Sequence, residues 1–479
     1  MAVDTPLTNG DVPVINVFSM NCWGLKYIAK HRVARLNEIS LRIARANPSH
    51  DIVALQEFWV YADYLNLREK TRHILPYGKF YFSGAIGGGL VILSKWPIEQ
   101  SSMFRYPLNG RPTAVHRGDF YVGKGVACAL IRHPSGRVIE VFNTHLHAPY
   151  EEQDTYLCHR TAQAWEIAKL LRGATQKGHV AIGAGDFNMI PSSLAHRLIS
   201  THGLVSDSWL SAYPETPDIH PPSANAQYNI QTMGATCDSV LNTWRMPGET
   251  LPPPDTVDPH GKRLDYVFHS PKTSSVRSIK VGMTEPMDMP SQTGGKGGAG
   301  RCCTLSDHFS VEVQLALAPN YEQQLALSNA KNPTPLAMGD LMEIAGAARA
   351  QEASLTNQVG SIEDEKYLPL NIVDEIFSVT REYKAREVME KFWRIAHFWA
   401  SVPVLIALHV AAWWTHYPGV SFLVTLLAWV VAVTGTLDGL IGFIFTGSEL
   451  RAITEFEEEM KMYRDLAVRA QEKHSGVDY

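Results

Sequence analysis

The chain has 479 residues, more than one ordinary domain contains, and this length predicts two or three structural units. Apolar residues make up 45% of the chain and charged residues 19%, a balance that is typical of folded globular proteins and excludes extensive disorder. The formal net charge of −5 excludes the globally basic character of many nucleic-acid-binding chains, although it leaves room for a local basic patch.

The cysteines and the N-terminus both favour a cytosol-facing protein. None of the six cysteines shows the C-x-x-C spacing of a zinc site, and so few thiols over this length predict reduced side chains. Residues 1–14 carry Asp4 and lack the basic and apolar regions of a signal peptide, so we expect no such peptide.

Residues 1–317 are predicted to form one domain in which strands alternate with helices. Short apolar runs predict strands at 14–20, 52–55, 90–93, 138–142, 180–182, 266–268 and 309–313, and longer segments predict helices at 32–46 and 161–171. Because the strand runs are almost continuously apolar, we expect the sheet to be covered on both faces. Segments 251–261 and 287–300 are too rich in Pro or Gly for regular structure.

The rest of the chain is predicted to be helical and to enter a membrane. Residues 318–366 have the composition of a linker with helical pieces, residues 367–397 predict a cytosolic helix, and residues 447–479 predict an amphipathic helix. The apolar runs 398–414 and 420–445 predict two transmembrane helices within residues 398–446, since about 20 residues cross a bilayer core. A hairpin buried in a soluble core is the alternative, but it leaves the Trp and Tyr residues at the ends of the runs unexplained.

Charged and small residues predict how this hairpin is arranged. Lys and Arg precede the first run and follow the second but are absent from the turn, so the positive-inside rule predicts both termini in the cytosol. We expect an endomembrane, with the endoplasmic reticulum and the mitochondrion as candidates. Gly435 and Gly439 predict close packing of the two helices. Asp438 is expected near the interface or paired across the hairpin, with His409 as one candidate partner.

Polar residues that can bind a metal or move a proton follow several predicted strands. They are Asn21, Glu57, Asn143, His145, Asp186, Asn188, Asp307 and His308. One polar residue after a buried strand usually marks only the return of the chain to solvent. Several of them, from distant segments, predict loops that converge at one edge of a sheet, as loops do in an active site.

The order of these motifs resembles the endonuclease/exonuclease/phosphatase superfamily over residues 10–317. The matching segments are Asn21, Gln56-Glu57, Asn143-Thr144-His145, Gly185-Asp186-Phe187-Asn188, Arg263-Leu264-Asp265-Tyr266 and Ser306-Asp307-His308. Within that superfamily the chain is most similar to the neutral sphingomyelinases. These include the fungal inositol phosphosphingolipid phospholipase C enzymes, which share the C-terminal pair of membrane helices. The resemblance implies a DNase-like α/β fold, a four-layer sandwich of two packed sheets with outer helices.

The resemblance also implies a Mg²⁺-dependent phosphodiesterase that acts on a sphingolipid substrate in the bilayer. Such an enzyme hydrolyses inositol phosphosphingolipids, sphingomyelin or both to ceramide and a phosphorylated head group. Mg²⁺ prefers oxygen ligands, so Glu57, with Asn21 beside it, is the expected metal site. His308 is the expected general base, since an imidazole can accept the proton of an attacking water. The resemblance implies Asp265 as the carboxylate that orients His308.

Further catalytic roles follow from the same resemblance. Asp307 is expected nearer the metal, and Asp186 is expected to position the water or a proton. Asn188 would hold a phosphoryl oxygen, and His145 would donate a hydrogen bond to the transition state. The division of Asp186, Asp265 and Asp307 into metal ligands and orienting groups stays open, and each of them alone is also consistent with a structural turn.

Lys124, Arg117 and Asn143 are predicted to contact the substrate. Lys124 belongs to residues 118–125, which resemble a nucleotide P-loop, but Gly125 stands where a P-loop has the Ser or Thr that binds Mg²⁺. We therefore predict no nucleotide site. In sphingomyelinase-like enzymes this segment lies by the active site, which implies that Lys124 and Arg117 contact the anionic head group. A solvated hairpin is the alternative.

Two hypotheses concern the membrane. Trp59, Tyr61 and Tyr64 follow Glu57 closely and are expected to help lift lipid toward the site. The basic residues within 384–394 are expected to respond to anionic phospholipid activators, because such lipids attract basic segments next to a membrane.

Three other functions share parts of this pattern. A nuclease needs a basic face, whereas this chain is net acidic and carries a predicted membrane anchor, so we expect no nucleic-acid partner. A phosphoinositide phosphatase has a polar and basic segment after its Asp-x-Asn motif, whereas residues 185–191 are apolar beyond that motif. A degenerate domain that serves as a membrane tether would not need every catalytic residue type. Phosphoinositol and phosphocholine both stay open as head groups, and the fungal-type hairpin favours phosphoinositol by analogy.

Overall fold

The structure is a computed structural model that describes residues 12–115, 117–151, 153–217, 224–245, 251–288, 302–318 and 367–475. The predicted linker 318–366 lies outside these ranges apart from its first residue, and so does most of the predicted segment 287–300.

The strands of the described residues form two six-stranded sheets and a two-stranded ribbon. They are β1 Val14–Asn21, β2 Ile52–Gln56, β3 Tyr77–Tyr81, β4 Leu90–Ser94, β5 Ile98–Arg105, β6 Gly125–Arg132, β7 Val138–His145, β8 Val180–Asp186, β9 Ser206–Asp207, β10 Asp265–His269, β11 Ser274–Gly282, β12 Met287–Asp288, β13 Cys302–Cys303 and β14 Ser310–Leu317. The first sheet has the order β11-β14-β1-β2-β4-β3, and the second has the order β5-β6-β7-β8-β10-β9.

The helices of the described residues cover the sheets and form the C-terminal part. They are α1 Arg32–Ala44, α2 Tyr61–Thr71, α3 Asp119–Val122, α4 Leu157–Gln176, α5 Leu194–His202, α6 Ser208–Ala212, α7 Ala226–Gln231, α8 Leu370–Trp414, α9 Pro418–Leu440 and α10 Thr446–Ser475. A π-helical stretch, Ile441–Phe445, joins α9 to α10.

Each sheet contains one parallel strand pair, and these two pairs decide where polar residues meet. β1 runs parallel to β2 with Asn21 opposite Gln56, and β7 runs parallel to β8 with His145 opposite Asp186. Helices α1 and α4 make the two crossovers. In open α/β sheets, functional residues collect where the carboxyl ends of such strands meet. The topology therefore brings the ends of all four strands to one edge of the sandwich.

Three apolar clusters explain the layers. Ile15 and Val17 of β1 pack with Val141 and Ile182 of the other sheet, so one core lies between the sheets. The outer face of the first sheet packs against α1 and α2, and the outer face of the second packs against α4 and α5. Each fully buried aliphatic side chain of this kind contributes about 1.5–3 kcal/mol. The predicted four-layer sandwich is confirmed.

All seven predicted strands are present, most of them extended at their ends. The sequence did not reveal four further long strands, namely β3, β5, β6 and β11. Three of these lie at the sheet edges, where one face is exposed and the sequence carries polar residues such as those of Ile98–Arg105. The fourth, β6, begins inside the segment that resembles a P-loop.

The C-terminal hairpin is formed by two long helices that the protein leaves largely uncovered. In the most apolar windows of these helices, only 6% and 11% of the residues are buried, so the hairpin is not the core of a soluble domain. Both helices are long and apolar enough to be candidate membrane spans. A Cβ atom on Gly439 would lie 2.5 Å from the ring of Phe398, so the two helices approach closely at this glycine.

Asp438 pairs across the hairpin, but not with the predicted partner. Its Oδ2 lies 2.7 Å from Nδ1 of His397, and its Oδ1 accepts a hydrogen bond from Arg394. His409 instead faces the carbonyl oxygen of Leu405 at 2.8 Å. His409 as the partner was therefore wrong. Asp438 lies level with the basic residues at the start of the first apolar run, and His409 lies about three turns further along its helix.

The helices that flank the hairpin pack against the α/β sandwich. Ile376 of α8 and Phe456 of α10 share an apolar cluster with Trp165 of α4 and Leu198 of α5. The indole N–H of Trp165 donates to Oε2 of Glu459 at 2.7 Å. The candidate spans are thus attached to the sandwich through a packed interface as well as through the chain.

Candidate active site

A histidine–aspartate pair lies at the edge where the parallel strands end. Nδ1 of His308 donates to Oδ2 of Asp265 at 2.7 Å, and both side chains are buried. The other ring nitrogen, Nε2, lies 3.8 Å from Oδ2 of Asp186. Antiparallel pairing of β10 with β8 sets this arrangement, because it places Asp265 directly opposite Asp186.

Asn21 connects the two sheets within the site. Its Nδ2 donates to Oε1 of Glu57 at 3.1 Å and to Oδ2 of Asp186 at 3.0 Å. Its Oδ1 accepts the N–H of Trp23 at 3.0 Å. Glu57 has a positive φ of 52°, and its carbonyl oxygen accepts the N–H of Gly24 at 2.9 Å. A Cβ on Gly24 would lie 2.4 Å from that oxygen, so only glycine fits here.

The carboxyl groups of the site have raised pKa values. Burial, together with the nearby Asp307, raises the pKa of Glu57 to about 7. Burial raises the pKa of Asp186 to about 6, although His308 acts in the opposite direction. Burial also raises the pKa of Asp307. Several carboxyl groups therefore share a space in which their charges are not fully compensated.

The pKa values of the two histidines of the site are shifted in opposite directions. Burial alone would lower the pKa of His308, but the neighbouring Cys237 and the carboxyl groups of Asp265 and Asp186 raise it well above the ordinary value. Burial and the nearby Lys124 lower the pKa of His145 well below that value. His308 is thus placed to hold a proton that it has accepted, whereas His145 is neutral.

Two of the remaining predicted catalytic residues, His145 and Asn188, lie beside Asp186. Nε2 of His145 lies 3.4 Å from Oδ2 of Asp186, and the backbone N–H of Asn188 donates to Oδ1 at 2.9 Å. The side chain of Asn188 donates to the carbonyl oxygen of Leu146 at 3.0 Å. Asp307 is half-buried and accepts a hydrogen bond from Ser306 at 3.2 Å.

The site fits a divalent metal ion. Ligand atoms of Asp186, Asp265 and His308 lie within 4.8 Å of one another, and all three residues are buried. Oδ1 of Asp265 is buried without a hydrogen-bond partner among the described residues. Glu57 and Asp307 are half-buried and add two further carboxylates to the site. A cation would neutralise this group of carboxylates, and oxygen ligands of this kind suit a hard ion.

The three predicted substrate contacts differ in position. Lys124 is buried, and its Nζ lies 3.0 Å from Oδ1 of Asp119 and 2.9 Å from the carbonyl oxygen of Leu146, which also accepts from Asn188. Arg117 donates to Glu151 on the surface. Lys124 therefore shares a hydrogen-bond acceptor with the site, whereas Arg117 lies further out along the same segment.

Asn143 has a structural position instead of the predicted contact with substrate. It is fully buried, its Oδ1 accepts from Gln56 at 2.7 Å, and its Nδ2 donates to the carbonyl oxygens of Leu55 and Val91. Since these partners belong to the facing sheet, Asn143 joins the two sheets beneath the site. A substrate has no access to its amide group.

Sequence reasoning missed a second polar cluster beside the site. Asp119 accepts from the hydroxyl of Tyr150 at 2.6 Å, and its Oδ2 lies 3.6 Å from Nε2 of His147. Burial alone would raise the pKa of Asp119, but Lys124 and His147 lower it below the ordinary value. The signal in the sequence was the acidic residue five positions before Lys124, in the glycine-containing segment 118–125.

Comparisons with known proteins agree with this geometry. The pattern of the "Endonuclease/Exonuclease/phosphatase family" matches residues 18–308, which include every polar residue discussed for the site from Asn21 to His308. An inositol phosphosphingolipids phospholipase C of Schizosaccharomyces pombe is 39% identical over 454 residues, 94% of this chain and 94% of that protein. The chain belongs to the endonuclease/exonuclease/phosphatase family. It is a member of the group of phosphodiesterases that contains neutral sphingomyelinases and inositol phosphosphingolipid phospholipases C.

Two further members of the group differ in how much of the chain they match. An inositol phosphosphingolipids phospholipase C of Saccharomyces cerevisiae is 31% identical over 93% of this chain and 89% of its own length. The human sphingomyelin phosphodiesterase 2 is 38% identical over 41% of this chain and 46% of its own length. The fungal phosphodiesterases therefore match the C-terminal helices as well as the sandwich. The family that the sequence motifs predicted is confirmed.

Proposed function

We propose that the chain is a Mg²⁺-dependent phospholipase C-type phosphodiesterase that hydrolyses inositol phosphosphingolipids, sphingomyelin or both to ceramide and a phosphorylated head group. The observation that carries the chemistry is the His308–Asp265 pair, which faces Asp186 within a group of carboxylates. The choice of substrate rests on similarity to the fungal enzymes over 94% of the chain, including both candidate spans.

His308 is the general base of this proposal. With Nδ1 held by Asp265, its Nε2 is the nitrogen that faces the cleft and takes a proton from water. The water oxygen forms a bond to phosphorus, and the bond between phosphorus and the ceramide oxygen breaks. That oxygen then takes up a proton and leaves as the hydroxyl of ceramide. Asp186, 3.8 Å from Nε2, is placed to hold the attacking water.

Glu57 is the proposed metal ligand, with Asp307 near it and Asn21 as a second candidate. A metal binds an amide oxygen, and Asn21 currently faces Glu57 with its NH₂ group, so it acts as a ligand only with its amide turned round. When bound, Mg²⁺ would neutralise charge on the phosphodiester and on the leaving oxygen. Among Asp186, Asp265 and Asp307, this proposal assigns Asp307 as the group nearer the metal.

The remaining polar residues bind the phosphate in this proposal. His145 is neutral and can donate a hydrogen bond to a phosphoryl oxygen, and Asn188 lies on the other side of Asp186. Lys124 is paired with Asp119 and shares the carbonyl oxygen of Leu146 with Asn188, so it supports the site from behind Asn188, and Arg117 would meet the head group only further out. Asn143 is left out of the substrate site.

The C-terminal helices anchor the enzyme in the membrane that holds its substrate. We assign residues 1–317 to the catalytic domain, 318–366 to a linker, 367–397 to a cytosolic helix, 398–446 to the spans and 447–479 to the last helix. The basic residues outside the spans favour a cytosolic catalytic domain on an endomembrane and a response to anionic phospholipid. Anchoring raises the effective concentration of a lipid that stays in the bilayer.

Head-group release tests this proposal. Purified full-length protein in mixed micelles is given a panel of defined sphingolipids with Mg²⁺, and ceramide and the water-soluble product are measured. We expect a phosphorylated head group in the water phase, no release in chelator, and recovery when Mg²⁺ is added back. The His308→Gln variant is the inactive control. Release of inorganic phosphate would indicate a phosphatase and nicking of DNA a nuclease, and either result without head-group release would overturn the proposal.

A further inference from the structure

Four exposed apolar side chains lie on two neighbouring segments at the edge of the sandwich, and we call them the apolar rim. Tyr61 and Leu65 lie one turn apart on α2 and are 47% and 51% exposed, and Phe82 and Ile86 after β3 are 68% and 52% exposed. The ring of Phe82 lies 5.8 Å from that of Tyr61, so the two segments touch. Soluble surfaces rarely group such side chains without a partner for them.

The rim adjoins the catalytic edge. β3 runs in the same direction as β2 because both are antiparallel to β4, so Phe82 follows the strand end that lies at the same edge as Glu57. The loop that begins at Phe82 ends at Gly89, whose carbonyl oxygen accepts the N–H of Phe58 at 2.9 Å. The loop that carries Phe82 and Ile86 is therefore hydrogen-bonded to the residue that follows Glu57.

The rim also adjoins the cytosolic end of the candidate spans. The backbone N–H groups of Ala85 and Ile86 donate to the carbonyl oxygen of Tyr121 at 2.8 and 3.1 Å. The neighbouring Phe120 meets Phe445, at the end of the second apolar run, with 5.5 Å between ring centroids. A chain of direct contacts thus leads from the end of a candidate span through α3 to the rim.

We propose that the apolar rim enters the interface of the bilayer in which the C-terminal helices are anchored, and that it holds the catalytic cleft against the lipid surface. The proposal rests on the proposed function, since it concerns how that site reaches a membrane substrate. The occupant is the lipid bilayer because the rim continues from the end of a span, and Phe, Tyr, Leu and Ile gain free energy when they leave water for such an interface.

The rim differs from the lipid-lifting residues expected from sequence. Tyr64 is buried against Phe80 with only 7% of its surface exposed, so it is a core residue. Trp59 is half-buried and packs where a side chain on Gly89 would lie, because a Cβ there would come within 2.9 Å of its ring. Of Trp59, Tyr61 and Tyr64, only Tyr61 is exposed, and Phe82 and Ile86 of the rim come from a different segment.

A spin-label measurement tests insertion without using activity. Phe82→Cys in the full-length protein is labelled with a nitroxide and reconstituted into vesicles of phosphatidylcholine and phosphatidylserine, with the wild type as the background for native cysteines. Tyr77→Cys is the matched control, since Tyr77 is an exposed aromatic residue at the opposite end of the same strand and is 41% exposed. We expect the Phe82 label to collide with oxygen more than with a water-soluble nickel complex, and the Tyr77 label to show the reverse.

A second measurement links insertion to catalysis. Phe82→Ser with Ile86→Ser is compared with Tyr77→Ser in the same vesicles, on a long-chain sphingolipid in the bilayer and on a short-chain analogue dissolved in water. For the double variant we expect a loss of about a hundredfold on the bilayer substrate, since the apolar contact of each of the two side chains is worth about a decade or more. We expect the rate on the soluble analogue to stay unchanged and Tyr77→Ser to match the wild type.

The outcomes separate this proposal from the proposed function. A Phe82 label that collides mainly with the nickel complex would show that the rim stays in water, and it would overturn the insertion proposal even if the enzyme is active. Equal losses on the bilayer and soluble substrates would assign the residues to the fold of the cleft and would also overturn it. A rim that inserts in a protein inactive on every sphingolipid would instead leave the rim standing and refute the proposed function.

Discussion

Replacing Asp265 with Asn tests the central pair of the site. The substitution keeps the size of the side chain but removes the charge that lies 2.7 Å from Nδ1 of His308. A buried hydrogen bond to a charged group is worth about 1.5–3 kcal/mol, which corresponds to roughly one to two decades in rate. An amide can also present its NH₂ group to Nδ1 and favour the wrong tautomer of His308. We therefore expect kcat/KM to fall by about 10²–10³, within the usual contribution of a general base.

The same substitution predicts the direction of a pH shift. The base acts only when it is unprotonated, so kcat/KM rises as pH increases through the pKa of His308. Asp265 is one of the groups that raise the pKa of His308, so Asp265→Asn should move this limb to lower pH. Loss of one close charge corresponds to a shift of about one to two pH units. In the pH profile of kcat/KM, the plateau value should therefore fall, and the rising limb should move to lower pH.

Head-group release is measured from pH 5 to 9 at saturating Mg²⁺ for wild type, Asp265→Asn and a matched control. The control is Glu140→Gln, which removes a carboxylate at 2.6 Å from Nδ1 of His179, a pair of the same type outside the site. Glu140→Gln should leave both the plateau and the rising limb of the pH profile unchanged. An unchanged plateau for Asp265→Asn, or a limb that moves to higher pH, would refute the assignment of His308 as the base oriented by Asp265.

Three other substitutions test the metal site, the helix interface and a close backbone approach. Burial and Asp307 raise the pKa of Glu57 from 4.5 to about 7, so the free energy of unfolding of the metal-free protein should fall as pH rises through this window. In thermal unfolding, Glu57→Gln should make that fall smaller, because the raised pKa values of Asp186 and Asp307 still contribute to it. It should also remove the gain of about 2.7 kcal/mol expected at Mg²⁺ 100-fold above Kd; an unchanged slope contradicts this. Arg111→Met removes the buried one of two cations beside Glu387, at 3.6 Å, and leaves only the more exposed Arg386 at 3.8 Å. It should cost up to about 3–5 kcal/mol in thermal unfolding, much of it recovered when Glu387→Leu is added. Equal stability of the single and double variants would argue against the pair. Gly24→Ala should push against the carbonyl oxygen of Glu57 and weaken activation by Mg²⁺ roughly tenfold, whereas Gly173→Ala has open space around it and should match the wild type; similar activation constants for both would exclude the steric argument.

The sequence by itself determined the class of fold, the family and most of the residues of the site. The run 180–182 is apolar at every position because both faces of the strand Val180–Asp186 are covered, and that pattern is visible without a structure. The motifs that contain Glu57, Asp186 and His308 have fixed chemical types and order, and the apolar length of the C-terminal runs follows from the thickness of a bilayer. Each of these signals depends on residues close together in the chain.

Only the tertiary structure decided which of these residues meet and which do not. Asn21 and Asp186 are 165 positions apart and come within 3.0 Å because two sheets pack face to face with their parallel pairs aligned. The same packing buries Asn143 between the sheets. The way the two long helices are aligned places Asp438 beside His397. Contacts over such separations depend on strand register and on the angle between layers, and local patterns of polarity do not encode either of them.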